Sequence, residues 1–290
     1  MASGLTQFSD INDLMPKFIA PARYFYEQGQ VMKPLVTQYT LPDGNGNTYY
    51  IPKFSRLTPA RLDEGVPILH AQKINTDNAL AIVPQEVGMQ VLVSKRSNSF
   101  AKEDVLRAVG KITGNAMAIF EDQDLLGLFA GVTATKGGSG TMTVGHVLAA
   151  RSFIAGNATE PAPRPWSAVV HEWQYHPVAT NVIGLTSGGF ATIPSPDGLA
   201  ADTLKDFWID TIGQVKVYHD NNITVGSPTT GCVFSKEAFV WLTFEGMTTN
   251  KTYDEDLRSH KINVIADYGY GMYQDVFACR LTTAAVEPDN

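Results

Sequence analysis

The 290-residue sequence predicts an α+β protein organised around one long helix, with strand-rich segments on both sides of it. Three observations carry that prediction. Residues 101–130 repeat apolar side chains every three or four positions, the period of an amphipathic helix. Runs of β-branched and aromatic residues bounded by turn formers lie before and after it, at 48–51, 81–83, 89–93, 261–265 and 276–281. Between 141 and 248, helical and strand patterns alternate and give a mixed α and β character. With 44% hydrophobic and 18% charged residues the chain can bury a sizeable core, which excludes a disordered chain. At roughly 150 residues per domain, the length fits one large domain or two modest ones.

The first block, residues 1–38, has no sustained period and contains Pro16, Pro21 and Pro34. It reads as an extended N-terminal arm with one short helix at most. The second, 39–98, places strands at 48–51, 81–83 and 89–93 around a hydrophilic stretch that holds Arg61, Asp63, Glu64, Gln72, Lys73 and Asp77. Such a stretch does not bury enough apolar surface to order itself, so a long hairpin projecting from the body is expected.

The third block, 99–135, carries the long helix, with Val105, Val109, Ile112, Ala116, Ile119 and Phe120 at helical spacing and Ser99 as the expected N-cap before Glu103 and Asp104. At 1.5 Å per residue it would extend roughly 40 Å, although Gly110 and Gly114 each weaken it by about 1 kcal/mol relative to Ala. The fourth, 136–250, has a helix around Val144, Val147, Leu148 and Phe153, a buried strand at 167–170, a helix around Leu204, Phe207 and Trp208, and a strand at 214–218. A strand at 231–234 followed by a helix at 236–244 repeats the pattern, while 184–198 and 220–230 carry loop chemistry. The fifth, 251–290, supplies strands at 261–265 and 276–281 around the glycine-rich segment 268–271 as a closing sheet layer, then a C-terminal tail.

Composition removes several functions. Lys and Arg total 22 against 29 Asp and Glu, and the net charge of −7 argues against tight DNA binding. Cys232 and Cys279 are too far apart in sequence for a disulfide framework or a close-spaced zinc site, and both read as small core residues. No secretory signal and no apolar run of membrane-spanning length is present. His171 and His176 superficially suggest a helical zinc motif, but they lie five residues apart, and about 500° of helix rotation leaves the rings some 140° off one face. Pro177 argues that a helix starts near this point, so His171 and Trp173 are expected to fill the junction between the buried strand and that helix. The glycine-rich segment 136–140 lacks the order of a phosphate-binding loop, and His70, His146, His219 and His260 have no neighbours suggesting a triad or metal set. The carboxylate runs 121–124 and 254–256 read as solvated faces. No catalytic, cofactor-binding or metal site is expected.

The order of these blocks resembles the major capsid proteins of tailed bacteriophages, the Hong Kong 97 fold. Residues 50–53 followed by 60–65 are similar to the strand and Glu-Gly turn that open the family's extended loop, and Glu86, Val87 and Gly88 to the approach to its spine helix. Further on, 166–177, 231–236 and 267–269 look like a strand-helix junction, a glycine-led strand and a late tyrosine-glycine turn of that family. The resemblance implies an N-terminal arm (1–38), an extended β-hairpin loop (39–98), a spine helix with a peripheral sheet (99–135), a mixed α/β axial domain (136–250) and returning peripheral strands (251–290). It implies self-assembly as hexamers and pentamers into an icosahedral shell of a virion, built in the bacterial host cytoplasm around double-stranded DNA held without sequence specificity. A portal and a separate scaffold protein are implied partners, since Met1 stands directly before the arm, and a decoration protein is allowed; a membrane and cofactors are not. A net negative wall suits a container that must fill and release its genome. Arg61, Asp63, Glu64, Lys73, Lys95 and Arg96 are the intersubunit contact candidates. Lys73 occupies a donor position for an isopeptide, but no acceptor is assignable and no cross-link is expected. Two other readings stand behind this one: an encapsulin-like nanocompartment shell around protein cargo, and third, an α/β metalloenzyme using His171 and His176.

Overall fold

A computed structural model describes residues 5–6, 29–42, 46–54, 57–59, 61, 80–100, 105–158, 160–187 and 211–288. Two sheets share one core. In the first, β5 (Gln85–Ser94) and β12 (Ser259–Met272) pair antiparallel from Gln85 opposite Tyr268 to Ser94 opposite Ser259. On the other side β12 pairs antiparallel with β11 (Phe239–Asp254). Short parallel strands finish both edges, β1 (Leu5–Thr6) on β5 and β2 (Thr37–Thr40) on β11. The second sheet is built from β6 (Thr135–Gly137), β7 (Trp166–Val170), β8 (Thr211–Ile212), β9 (Val215–His219), β10 (Thr229–Ser235) and β13 (Ala278–Thr283), in the order β6-β13-β10-β7-β9-β8.

The long helix is α2 (Val105–Gly127), which lies on the five-stranded sheet and continues as a 3-10 turn, Leu128–Gly131. The described residues before it include a helical stretch, α1 (Lys95–Phe100). Ser99 lies inside α1 and donates its hydroxyl hydrogen bond back to the Lys95 carbonyl at 2.8 Å, so it does not serve as the expected cap. The stripe that α2 buries also differs from the apolar period. Ile112 and Phe120 are 53% and 45% exposed, whereas Thr113, Met117, Glu121, Leu125 and Phe129 are buried at four-residue intervals, with Asp122 beside them. The segment 121–124, expected as a solvated face, is therefore largely interior. Its carboxylates are tolerated because each has donors: the backbone N–H groups of Val31 and Met32 for Asp122, Gln30 and Lys33 for Glu121, and the Tyr268 hydroxyl for Asp124.

The strand expected at 167–170 is β7, with every residue buried. It leads into α4 (Glu172–Ser187), which runs through Pro177 instead of starting there. The start is set earlier, where His171 Nδ1 accepts the Trp173 N–H at 3.1 Å and Gln174 Oε1 accepts the His171 N–H at 3.1 Å. The same Gln174, fully buried, donates to the Thr229 carbonyl and to the Thr283 hydroxyl, tying α4 to β10 and β13. Helix α3 (Val144–Ala155) packs on β13 and β10, and His146 closes a capping box with Thr143 at its start.

In the segment 236–244, expected as a helix, residues 236–238 form a turn and 239–244 begin β11. Phe239, Val240, Trp241 and Leu242 are all buried, because Phe239 and Trp241 join the main core while Val240 and Leu242 join a smaller cluster on the other face. A short run buried on both faces has no alternation and is indistinguishable by period from a buried helix. The strand continues unbroken across residue 250. The segment 251–290 is divided between the sheets: β12 belongs to the five-stranded one, whereas β13 pairs with β10 and β6 in the six-stranded one. Within 1–38, the described residues near its end are part of the body, since Met32 and Val36 are fully buried and β2 completes the sheet edge. The rest of the expected arm (1–4 and 7–28), the hydrophilic stretch 62–79 expected to project, the N-terminal residues 101–104 of the expected long helix, and the helix expected around Leu204, Phe207 and Trp208 lie outside the described residues.

Phe129 joins the two sheets. Its ring lies 5.9 Å from Phe234 on β10 and 5.8 Å from Phe239 on β11, and those two rings meet edge-on at 5.2 Å. Phe129→Ala is expected to lower the unfolding free energy by about 3–5 kcal/mol, measured by denaturant titration.

Candidate functional site

A two-stranded ribbon is formed by β3 (Tyr49–Ile51) and β4 (Leu80–Ile82), with Tyr49 opposite Ile82 and Ile51 opposite Leu80. An isolated ribbon of three residues a side is not stable in water. This one is held by burying Ile51 and Ile82 with Leu41, Val240 and Leu242 on the sheet face away from α2. Two glycines on β12 make the seat. A Cβ on Gly269 would come within 2.5 Å of Ile82 Cγ2, and one on Gly271 within 3.4 Å of Leu80 Cδ2. Tyr268 and Tyr270 alternate with them. Tyr268 stacks on Trp241 with 4.4 Å between ring centroids and donates to Asp124 at 2.8 Å. The Tyr273 hydroxyl donates to the Pro52 carbonyl at 3.1 Å, and the Lys53 ammonium lies 5.1 Å from the Tyr273 ring, so the strand leaving the ribbon is also fastened. The ribbon's outer side is apolar and uncovered, with Tyr50 65% and Phe54 71% exposed beside exposed Leu57 and Val83.

A second cluster joins three parts of the chain. Asp122 on α2 accepts the Val31 and Met32 N–H groups at 3.0 and 2.8 Å, and its other oxygen accepts the Asn222 side-chain amide at 3.0 Å. Asp220, fully buried in the turn after β9, accepts the Asn222 N–H at 2.9 Å. Its Oδ2 has no hydrogen-bond partner among the described residues. Burial, reinforced by Asp122, pushes the Asp220 carboxyl up to about 8.

The sequence-derived contact candidates are not assembled into one site. Arg61 is exposed on the segment leaving the ribbon, while Lys95 and Arg96 are exposed at the start of α1, where the Lys95 N–H donates to the Arg258 carbonyl at the far end of the sheet. The length of β5, about 30 Å, separates the ribbon end of that strand from Lys95 and Arg96. Asp63, Glu64 and Lys73 lie outside the described residues. His171 is buried, holds Trp173 with Nδ1 and has its pKa lowered by burial, whereas His176 is exposed on α4. Among the described residues no group of three or more His, Cys, Asp or Glu side chains is placed to hold a metal ion. Cys232 and Cys279 are buried free thiols, and burial pushes Cys279 up to about 11, as suits core residues. Among the described residues no helix is long and apolar enough to cross a membrane. Sequence reasoning missed the Asp122–Asp220–Asn222 cluster and the glycine seat. The alternation of glycine and tyrosine at 268–271 was the available signal for the seat.

No protein-family model and no curated protein matches this sequence. Solved structures do. The cyanophage Pam1 capsid protein is 10% identical, covers 94% of this chain and 97% of its own, and superposes with a TM-score of 0.73. The capsid protein of the cyanophage P-SCSP1u is 14% identical over 96% of this chain and 95% of its own, with a TM-score of 0.70. That of a native GTA particle is 9% identical over 93% and 95%, with a TM-score of 0.69. The chain thus has the α+β fold of phage capsid proteins, the Hong Kong 97 type.

Gly269→Val is expected to drive a side chain into Ile82 and cost about 1–3 kcal/mol in thermal unfolding, while Gly271→Ala makes an ordinary contact and is tolerated. The unfolded chain loses the Asp220 proton near its ordinary value of 3.8, and the folded chain keeps it to about 8. Stability from this group is therefore greatest below about pH 4, falls as pH rises through the interval and levels off above about 8. Asp220→Asn removes this titrating carboxyl. Its melting temperature is expected to vary less with pH than the wild type's and to exceed it above about pH 8, measured by calorimetry across that range.

Proposed function

We propose that this chain is the major capsid protein of a tailed bacteriophage, assembling as hexamers and pentamers into an icosahedral shell around double-stranded DNA. The observation that carries this reading is the likeness in fold to phage capsid proteins over more than nine-tenths of both chains. The exposed apolar ribbon supports it, because uncovered Tyr50 and Phe54 gain from a neighbour's surface what their own body does not supply. The role is structural and needs no cofactor. Its partners are further copies of the chain, a separate scaffold protein, a portal and the packaged genome, with a decoration protein able to bind from outside. The virion capsid is its final location, after assembly in the host cytoplasm. Arg61, Asp63, Glu64, Lys73, Lys95 and Arg96 are its intersubunit contact residues.

Negative-stain electron microscopy of the purified protein, expressed with its scaffold, tests the reading. Closed polyhedral shells, or free hexamers and pentamers, are expected. A strictly monomeric protein under these conditions overturns it, and shells that enclose protein cargo in place of nucleic acid assign the chain to a nanocompartment.

A further inference from the structure

Two cations meet one aromatic ring on the six-stranded sheet. The guanidinium of Arg151, on helix α3, lies 5.4 Å from the centre of the Trp166 ring at the start of β7. That of Arg164, on the segment entering β7, lies 4.9 Å from the same centre. Trp166 is buried and its indole N–H donates to the Ala162 carbonyl at 3.2 Å, so the ring is a fixed platform for both. The stem of Arg151 is held as well. The turn between the paired strands β8 and β9 lies against it through Gly213, which has a positive φ. A Cβ there would come within 2.5 Å of Leu148 Cδ2 and 3.8 Å of Arg151 Cδ.

The arrangement lacks a counter-charge. Among the described residues neither arginine makes an ion pair. Glu160, the acidic residue nearest to both in sequence, accepts from the Gln274 amide, and Glu172 is engaged with His219. Trp241 shows the contrast: the Lys33 ammonium, 4.8 Å from that ring centre, is matched by Glu121 at 2.9 Å. Arg151 is partly buried, and its Nε is shut off from water with no partner among the described residues. A buried cationic donor left unpaired is costly, and so are two like charges on one ring. We propose that Arg151, Arg164 and Trp166 form a binding site for a dianionic phosphate, free or as a monoester. Guanidinium forks match phosphate oxygens and stay charged, and the anion supplies the partner that Arg151 Nε lacks. A single carboxylate brings one charge and two oxygens, enough for one fork, whereas a phosphate dianion brings two charges and three or four oxygens. Arg164 is exposed, which gives the anion its approach from solvent. The site goes beyond the shell role and does not depend on it.

Calorimetric titration of the purified full chain tests it, with inorganic phosphate, glycerol phosphate and acetate as probes at constant ionic strength. Saturable binding of inorganic phosphate is expected, with acetate at least about tenfold weaker, because it engages one fork. Glycerol phosphate binding equally well means that the site takes monoesters; binding of the free ion alone means that it is closed around phosphate. Both uphold the proposal. Arg164→Gln, a substitution at an exposed position, is expected to weaken phosphate at least about tenfold while leaving the melting temperature without phosphate unchanged. Arg151→Lys keeps the charge but removes the Nε donor, and is also expected to weaken it. No binding of either phosphate, acetate binding as tightly as phosphate, or phosphate binding unchanged in both variants overturns the site. The measurement needs no shells, so its failure is separate from a failure of the capsid reading.

Discussion

The double burial of the first part of β11 is the constraint on which the rest of the structure depends. Phe239 and Trp241 face the main core under α2, and Val240 and Leu242 face the ribbon of β3 and β4. Four consecutive apolar side chains thus fasten the two faces of one sheet to different partners. Through Phe239 the same strand meets Phe129 and Phe234 and hence the six-stranded sheet. The β3–β4 ribbon is therefore anchored in the body, and its seat is set by close packing of Ile82 on Gly269, where no side chain intervenes.

Polar groups specify how the parts join. Asp122, Glu121 and Asp124 project from α2 toward the arm, the turn after β9 and β12, and each finds a donor from a distant segment. Desolvating carboxylates is expensive, so only the arrangement that supplies all of these donors is stable. Gln174 does the same for α4, β10 and β13. Hydrophobic burial accounts for the existence of the core, and these contacts for its registration.

Exposed groups are spread over the described surface. The ribbon's aromatic side is uncovered on one face of the five-stranded sheet, and Lys95 and Arg96 are exposed where β5 ends. Surfaces distributed in this way suit the proposed role, in which each copy would meet several neighbours.

By itself the sequence determined the α+β class, the β3–β4 ribbon, the buried strand β7 and the long helix, because these follow from local periodicity and turn chemistry. The tertiary structure decided what local pattern cannot carry. Residues 239–242 are apolar throughout and form a strand only because both faces find partners. Glu121 and Asp122 look like surface residues, and their burial depends on donors about 90 to 100 positions away in sequence. Helix α4 passes through Pro177 because His171 and Gln174 fix its first turn beforehand. The division of 251–290 between two sheets follows from strand pairings with residues far earlier in the chain, and pairing partners are a property of the folded whole rather than of any window of sequence.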